Sequence, residues 1–232
     1  MKKLPKAIAL IETLVWHHDG PFGDPSGIPT YIVSRLTREH VTVALNGDGG
    51  DELFAGYLRF SASMMAEKIP ASVMRGGNVV LSLFPEPRNY HSPVRRAQRF
   101  FQSAGTLFHE RFSRWISLFP DDLELLINRD LLGHANGTDR ISYFRGYLEK
   151  ISDYTPLSQL LYLNIKTYLL NDLLVKMDRT TMAHSLEARS PFLDTALMEY
   201  SASLPDRMKL RWGRTKYILK KAFSDLLPPE IL

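Results

Sequence analysis

The sequence of 232 residues contains no cysteine. Without thiols the chain cannot form a disulfide, a zinc–thiolate site or a cysteine nucleophile. It also has no run of about 18 uncharged apolar residues, so no transmembrane helix is predicted. Glu12 interrupts the short apolar stretch near the start and no small-residue cleavage site follows, so no signal peptide is predicted either. We therefore expect a cytoplasmic protein that does not contact a membrane.

The chain has little excess charge, because 29 basic and 25 acidic residues leave a net charge of +4. The basic residues of the middle of the chain alternate with phenylalanines: Arg88, Arg95, Arg96, Arg99, Arg111, Arg114, Phe100, Phe101, Phe108 and Phe112. This pattern could bind nucleic acid or a substrate phosphate. It is more typical of amphipathic helices with solvated arginines, so we expect no nucleic-acid partner.

The hydrophobic pattern predicts one α/β unit near the start of the chain. Residues 28–39 have helical period, 41–45 read as a short buried strand, and a helix should begin near Asp51 and continue past Tyr57. The longest apolar periodic segment, 156–182, predicts a central helix. Because a stable sheet needs about three strands or more, we expect a mainly helical chain with a small remnant of a parallel sheet, or part of a longer protein.

Other segments predict helices and turns. Residues 62–120 should form helical pieces broken at prolines and at the Gly76–Gly77 pair, and residues 121–128 a short amphipathic helix. The run SPFLD, residues 190–194, predicts a turn with Ser190 as N-cap and Pro191 at the first helical position.

The run NGDGGDE, residues 46–52, follows the predicted strand directly. It contains three glycines and three carboxylates, namely Gly47, Gly49, Gly50, Asp48, Asp51 and Glu52. Ligands of open α/β folds bind at the carboxyl ends of strands. Glycine amides can receive a phosphate there, and Mg²⁺ takes one or two carboxylates together with phosphate oxygens. The run therefore favours a nucleoside-triphosphate site.

Spacing alone leaves a structural interpretation open, in which the run is a glycine turn and Asp51 caps the next helix. It is not a Walker A loop, because no Lys-Ser/Thr follows, and it lacks the Rossmann spacing. The alternating acids of an EF-hand are also missing.

A second charged cluster lies in NDLLVKMDRTTMAHSLEARSPFLD, residues 171–194. Its charged members on or beside an apolar helix are Asp172, Lys176, Asp178, Arg179, Glu187 and Arg189. Exposed ion pairs of this kind contribute less than about 1 kcal/mol each, whereas buried ones more often belong to a functional site.

Together, NGDGGDELFAGY and LLVKMDRTTMAHSLEARSPFLD resemble the C-terminal synthetase domain of the glutamine-dependent asparagine synthetase family. The resemblance implies an adenine nucleotide α-hydrolase-like α/β fold that binds ATP and Mg²⁺. It further implies transfer of AMP to the side-chain carboxylate of aspartate, with release of pyrophosphate. Ammonia made by a separate glutaminase domain would then attack the acyl-adenylate and give asparagine.

The resemblance also implies roles for individual residues. Asn46, which stands where the family has serine, and Gly47, Gly49 and Gly50 would contact ATP. Asp48 would be the acidic catalytic residue at the reacting centre, important for the adenylate step, and Asp51 would ligate Mg²⁺ on the pyrophosphate. Glu187 would line the site and help to orient the group that takes the amine proton.

The chain departs from the family pattern in what surrounds these motifs. The family's cysteine after the initiator methionine, its pyrophosphate loop S-G-G-x-D-S and its later K-x-G-F segment do not occur. We therefore expect residues 1–232 to be a partial synthetase domain that is inactive alone. The alternatives are a related amidotransferase acting on another carboxylate, in a surface-polysaccharide or antibiotic pathway, and a non-catalytic binding module. An uncovered sheet edge could also pair two copies into a homodimer.

Overall fold

The structure, a computed structural model, describes residues 7–20, 22–85, 87, 92–103, 105–117 and 140–230. The helix predicted at 121–128 lies outside these residues. The α-helices are α1 (Ile11–His18), α2 (Gly27–Arg38), α3 (Gly50–Leu53), α4 (Leu58–Ala66), α5 (Ala71–Ser82), α6 (Pro93–Gln102), α7 (Phe108–Ile116), α8 (Arg140–Leu148), α9 (Pro156–Asn164), α10 (Leu174–Met182), α11 (Thr195–Ser203), α12 (Asp206–Lys209) and α13 (Tyr217–Ala222). The strands are β1 (Val43–Leu45) and β2 (Glu187–Arg189).

The chain divides into two compact units. The first contains Met1–Phe54 and Leu161–Pro205, and the second contains Ala55–Leu160 and Asp206–Leu232. Both long motifs that were singled out in the sequence fall largely in the first unit, which therefore holds the candidate site.

In the first unit, helices α1, α2 and α10 pack together. Leu10, Leu14 and Tyr31 form a buried apolar cluster, and Ile28 and Ala183 pack against it at its border. Arg38 Nε at the end of α2 donates to the Ser185 carbonyl oxygen, 3.0 Å away. Helix α2 confirms the helix predicted over residues 28–39, with its ends shifted by one residue.

Strands β1 and β2 form a parallel two-stranded sheet in register Val43↔Glu187, Ala44↔Ala188 and Leu45↔Arg189. The expectation of one convincing strand was therefore incomplete, because the LEAR run supplies a second. The expectation that β1 is buried was wrong. Val43 is 40% and Leu45 74% exposed, because no described element covers the sheet face that carries them.

The predicted central helix is helical throughout but is not uniform. It begins as α9, continues as a π-helix over Ile165–Leu173 and ends as α10. The helix predicted from Asp51 past Tyr57 is broken instead. Helix α3 ends at Leu53, Ala55 takes a positive φ of 54°, and α4 begins only at Leu58.

The second unit is helical in its described parts. Phe60, Phe112 and Leu160 are almost completely buried. The Gly76–Gly77 pair does not break a helix as predicted, since it lies inside α5, where the missing side chain of Gly77 makes room for the Phe101 ring. No described helix is both long enough and apolar enough to span a membrane.

Candidate functional site

The acidic turn, residues 46–52, begins where β1 ends and leads into α3. Hydrogen bonds between its own residues hold its shape. The Asn46 amide donates to the Arg189 carbonyl oxygen at 2.9 Å, which extends the sheet pairing by one step. The Gly50 amide donates to the Gly47 carbonyl oxygen at 3.2 Å, and the Gly49 amide donates to Glu52 Oε2 at 3.1 Å. Gly49 and Gly50 are buried. In this conformation the turn itself uses the two glycine amides, and the prediction that they contact ATP stays a prediction.

The structural alternative named Asp51 as the cap of α3, and this was wrong. Gly49 is the N-cap residue, with φ 94°, and the carboxylate that accepts its amide is that of Glu52. Glu52 is 1% exposed. Its carboxylate therefore has a structural partner in the turn. Asp51 is half-buried in the first turn of α3.

The buried glycines bring the two motifs into contact. A Cβ built on Gly49 would clash with the side chain of Leu193, and one on Gly50 would lie 3.3 Å from Phe192 Cε2. Phe192 and Leu193 belong to the SPFLD run, whose 3₁₀ turn starts at Pro191 after Ser190, as predicted. The glycines thus permit a close approach of residues that are far apart in the sequence.

We expect Gly49→Ala to lower the free energy of unfolding by about 1–3 kcal/mol, because it combines a strained positive φ with the Leu193 clash. Denaturant unfolding of the purified protein measures the change. Gly47→Ala is the matched control: a Cβ there meets no atom within 4 Å and its φ is not positive. Equal stability of the two variants would contradict the packing role of Gly49.

Asn46 is the polar link between the motifs. Its Oδ1 accepts hydrogen bonds from the Ser190 hydroxyl at 2.5 Å and from the Asp48 amide at 3.3 Å. Its Nδ2 donates to Asp48 Oδ2 at 3.2 Å. The structure therefore brings Asn46, Asp48 and Ser190 together, and Ser190 does not cap the following turn with its side chain.

Asp48 is half-buried and has an unusual electrostatic environment. Burial raises the pKa of its carboxyl group, the negative charge of Glu52 raises it further, and the positive charge of Lys176 partly offsets both effects. A carboxylate with a raised pKa binds a proton more readily than a free one, which is a common property of catalytic acids.

A buried ion pair, which the sequence did not predict, lies near this turn. Lys176 Nζ, in the first turn of α10, donates to Asp24 Oδ2 at 2.7 Å and to Ser26 Oγ at 2.8 Å. Burial alone would raise the pKa of Asp24, but the hydrogen bonds from Lys176 and Ser26 outweigh burial and lower it. Asp24 and Lys176 are 152 residues apart in sequence, so no local pattern signals the pair.

Glu187 lies on β2, beside the strand that leads into the turn, but its carboxylate does not take part in the hydrogen bonds of the turn. It is exposed, and its Oε1 accepts a hydrogen bond from Arg189 Nε at 2.7 Å. Among the described residues, no hydrogen bond joins its carboxylate to Asp48. Its role at the reacting centre stays a prediction.

The donors of the turn suit a magnesium ion that is shared with a ligand. Within the described residues no group of three or more histidine or acidic side chains could hold a metal alone. Glu52 accepts the Gly49 amide, and Asp48 and Asp51 are the other two carboxylates of the turn. One or two carboxylates plus phosphate oxygens are the usual Mg²⁺ environment, so the turn fits Mg²⁺ bound to a phosphate ligand.

A parallel sheet whose strand ends in a glycine turn with carboxylates is the arrangement of a ligand-binding α/β domain. The chain belongs to the asparagine synthase family, because the sequence model of that family matches residues 5–232. The match extends over both compact units.

Curated relatives agree with this assignment. An asparagine synthetase (glutamine-hydrolyzing) 1 of Bacillus subtilis (strain 168) is 33% identical over 238 residues, covering 100% of this chain and 34% of the relative. A putative asparagine synthetase of Mycobacterium bovis is 28% identical, covering 97% of this chain and 33% of the relative. The amidase chyE of Penicillium rubens is 25% identical, covering 95% of this chain and 35% of the relative. The chain thus spans about a third of the length of these proteins.

Proposed function

We propose that this chain carries part of the synthetase centre of a glutamine-dependent asparagine synthetase. The observation that supports this most directly is the contact between the two motifs, made by the Ser190–Asn46 hydrogen bond and by Gly49 against Leu193. Membership of the asparagine synthase family supports it independently. Residues 1–232 would be a partial synthetase domain of the adenine nucleotide α-hydrolase-like type, with the glutaminase domain and the pyrophosphate loop outside them.

The reaction we propose has two steps. A side-chain carboxylate oxygen of aspartate attacks the α-phosphorus of ATP, forming the acyl-adenylate and releasing pyrophosphate. Ammonia then attacks the acyl carbon, and asparagine, AMP and a proton are released. Both substrates of the first step are anionic, so their approach must be favoured by positive charge.

Individual residues would have separate roles in this reaction. Asn46, Gly47, Gly49 and Gly50 would line the ATP site, and Asp51 would hold Mg²⁺, which neutralises charge on the phosphates. Asp48, whose pKa is raised by burial, would act at the reacting centre. Glu187, on the neighbouring strand, would orient the group that takes the proton of the amine.

The test is aspartate-dependent exchange of labelled pyrophosphate into ATP by the complete protein that carries these residues. We expect exchange that requires both Mg²⁺ and aspartate, since only reversible formation of an aspartyl-adenylate returns the label to ATP. Exchange without aspartate, or no exchange with any carboxylate, would contradict the proposal.

A second acceptor is a specific alternative, because two fungal relatives of this chain are amidases, one from Penicillium rubens and one from Gibberella zeae. A related amidotransferase would adenylate another carboxylate by the same chemistry. In the exchange assay it would respond to that carboxylate and not to aspartate. Replacing aspartate with a panel of carboxylates therefore separates the two functions.

A further inference from the structure

Helices α2 and α10 lie side by side and are tied together at both ends. At the ends that lead into the strands, Arg38 donates to the Ser185 carbonyl oxygen. At the opposite ends, Lys176 pairs with Asp24, two residues before the N-cap Ser26. The helices therefore run in the same direction, as do the strands β1 and β2 that follow them.

Each helix reaches its strand through a short connection, residues 39–42 for β1 and 183–186 for β2. A helix and the strand it feeds in an α/β unit run in opposite directions. The amino ends of α2 and α10 consequently lie on the side where β1 and β2 end. That side carries the acidic turn and is where α/β folds bind ligands. The influence of the Lys176 charge on Asp48 agrees with this placement.

Lys176 is held in place by burial and by two hydrogen bonds. Its side chain is 11% exposed and that of Asp24 is 15% exposed. Asp24 also accepts the Ser26 amide at 2.9 Å and the Ser26 hydroxyl at 2.7 Å. A lysine ammonium has three N–H donors, and within the described chain two of them have acceptors. A buried ion pair is weak evidence for a stabilising role, since desolvation offsets its attraction.

We propose that Lys176 is a binding residue of the synthetase site, held by Asp24 and Ser26 so that its ammonium contacts an anionic oxygen of a substrate. The inference rests on the proposed function. The turn places three carboxylates, Asp48, Asp51 and Glu52, within five residues, and these repel a phosphate or a carboxylate ligand. A fixed ammonium at the same side of the sheet supplies an N–H donor and a local positive charge for such an anion, while Asp24 balances its charge when no ligand is bound. The anionic oxygen belongs either to the phosphates of ATP or to the acceptor carboxylate.

Steady-state pyrophosphate exchange by the complete protein distinguishes these sources. Lys176→Met should raise the KM of one substrate about tenfold to a hundredfold, the effect expected for a lost hydrogen bond to a charged group. A rise for ATP identifies a phosphate, and a rise for the acceptor identifies its carboxylate. Lys176→Arg, which keeps the charge, should recover part of the loss. Lys166→Met, on the exposed side of the preceding π-helix, is the control for loss of one positive charge.

Lys176→Met leaves Asp24 buried without its partner and can fail to fold, so the double variant Asp24→Asn/Lys176→Met is measured as well. It removes both charges and keeps the side-chain volumes. A folded double variant with both KM values equal to those of the wild type would overturn the inference and leave the proposed function intact. A wild type without exchange would overturn the proposed function. Calorimetric affinities of the wild type and the double variant that are equal both for magnesium ATP and for aspartate would then overturn the inference too.

Discussion

Replacing Asp48 by asparagine should reduce pyrophosphate exchange by about 10²- to 10⁴-fold, the range for loss of a positioned acid or base. Asparagine keeps an oxygen that can accept the Asn46 Nδ2 hydrogen bond, so the turn should keep its shape. What the substitution removes is the negative charge and the ability to exchange a proton. The measurement is the exchange rate at saturating ATP and acceptor, with Asp153→Asn, an exposed site in the second unit, as control.

The same variant should not be less stable than the wild type, and this separates a chemical role from a structural one. Because folding raises the pKa of Asp48 above its ordinary value, the folded state binds more protons than the unfolded state between the two pKa values. Stability contributed by the wild-type residue therefore falls as pH rises through that window. At pH 7 the ionised carboxylate is a cost that asparagine lacks.

Thermal unfolding at pH 7 and near pH 4 tests this sign. We expect the Asp48→Asn midpoint to equal or exceed that of the wild type at pH 7, with a smaller difference at the lower pH. A variant that loses activity together with several degrees of thermal midpoint at pH 7 would show that Asp48 serves the fold of the turn instead.

Elements with a strong local pattern could be predicted from the sequence, and elements defined by distant partners could not. Helix α2 has an apolar period and turn residues before it, and its bounds were predicted to within a residue. Strand β2 has only three residues, two of them charged, so nothing local marks it as a strand. It exists because the Asn46 and Glu187 amides bond across to the neighbouring strand.

The candidate site follows the same rule. Composition marked NGDGGDE as a candidate site and the resemblance to the family favoured it over a structural turn, but the partner of each side chain depends on folding. Glu52 lies three residues after Gly49, which is the spacing of a capping box, but this signal could be used only once Gly49, and not Asp51, was known to be the N-cap. The Asp24–Lys176 pair needed two helices to pack, although a lysine on an apolar helix face and an acid before a helix start were both visible signals.

Replacing Asp51 by alanine should raise the Mg²⁺ concentration needed for half-maximal exchange and lower the maximal rate. Loss of even an indirect partner of a metal typically costs about 10- to 100-fold in affinity or activity, so loss of a direct carboxylate should cost at least that. Asp51 is half-buried in the first turn of α3. In Asp51→Ala, Glu52 still accepts the amide of the N-cap residue Gly49. Asp48 is then the one other carboxylate in the turn.

Glu52→Gln is the matched control for this prediction, because it removes the neighbouring charge while keeping an oxygen for the Gly49 amide. If Asp51 holds the metal and Glu52 holds the turn, the Mg²⁺ titration should shift for Asp51→Ala and not for Glu52→Gln. A shift for Glu52→Gln alone would move the metal assignment to the buried carboxylate. An unchanged titration for Asp51→Ala would show that Asp51 does not ligate Mg²⁺.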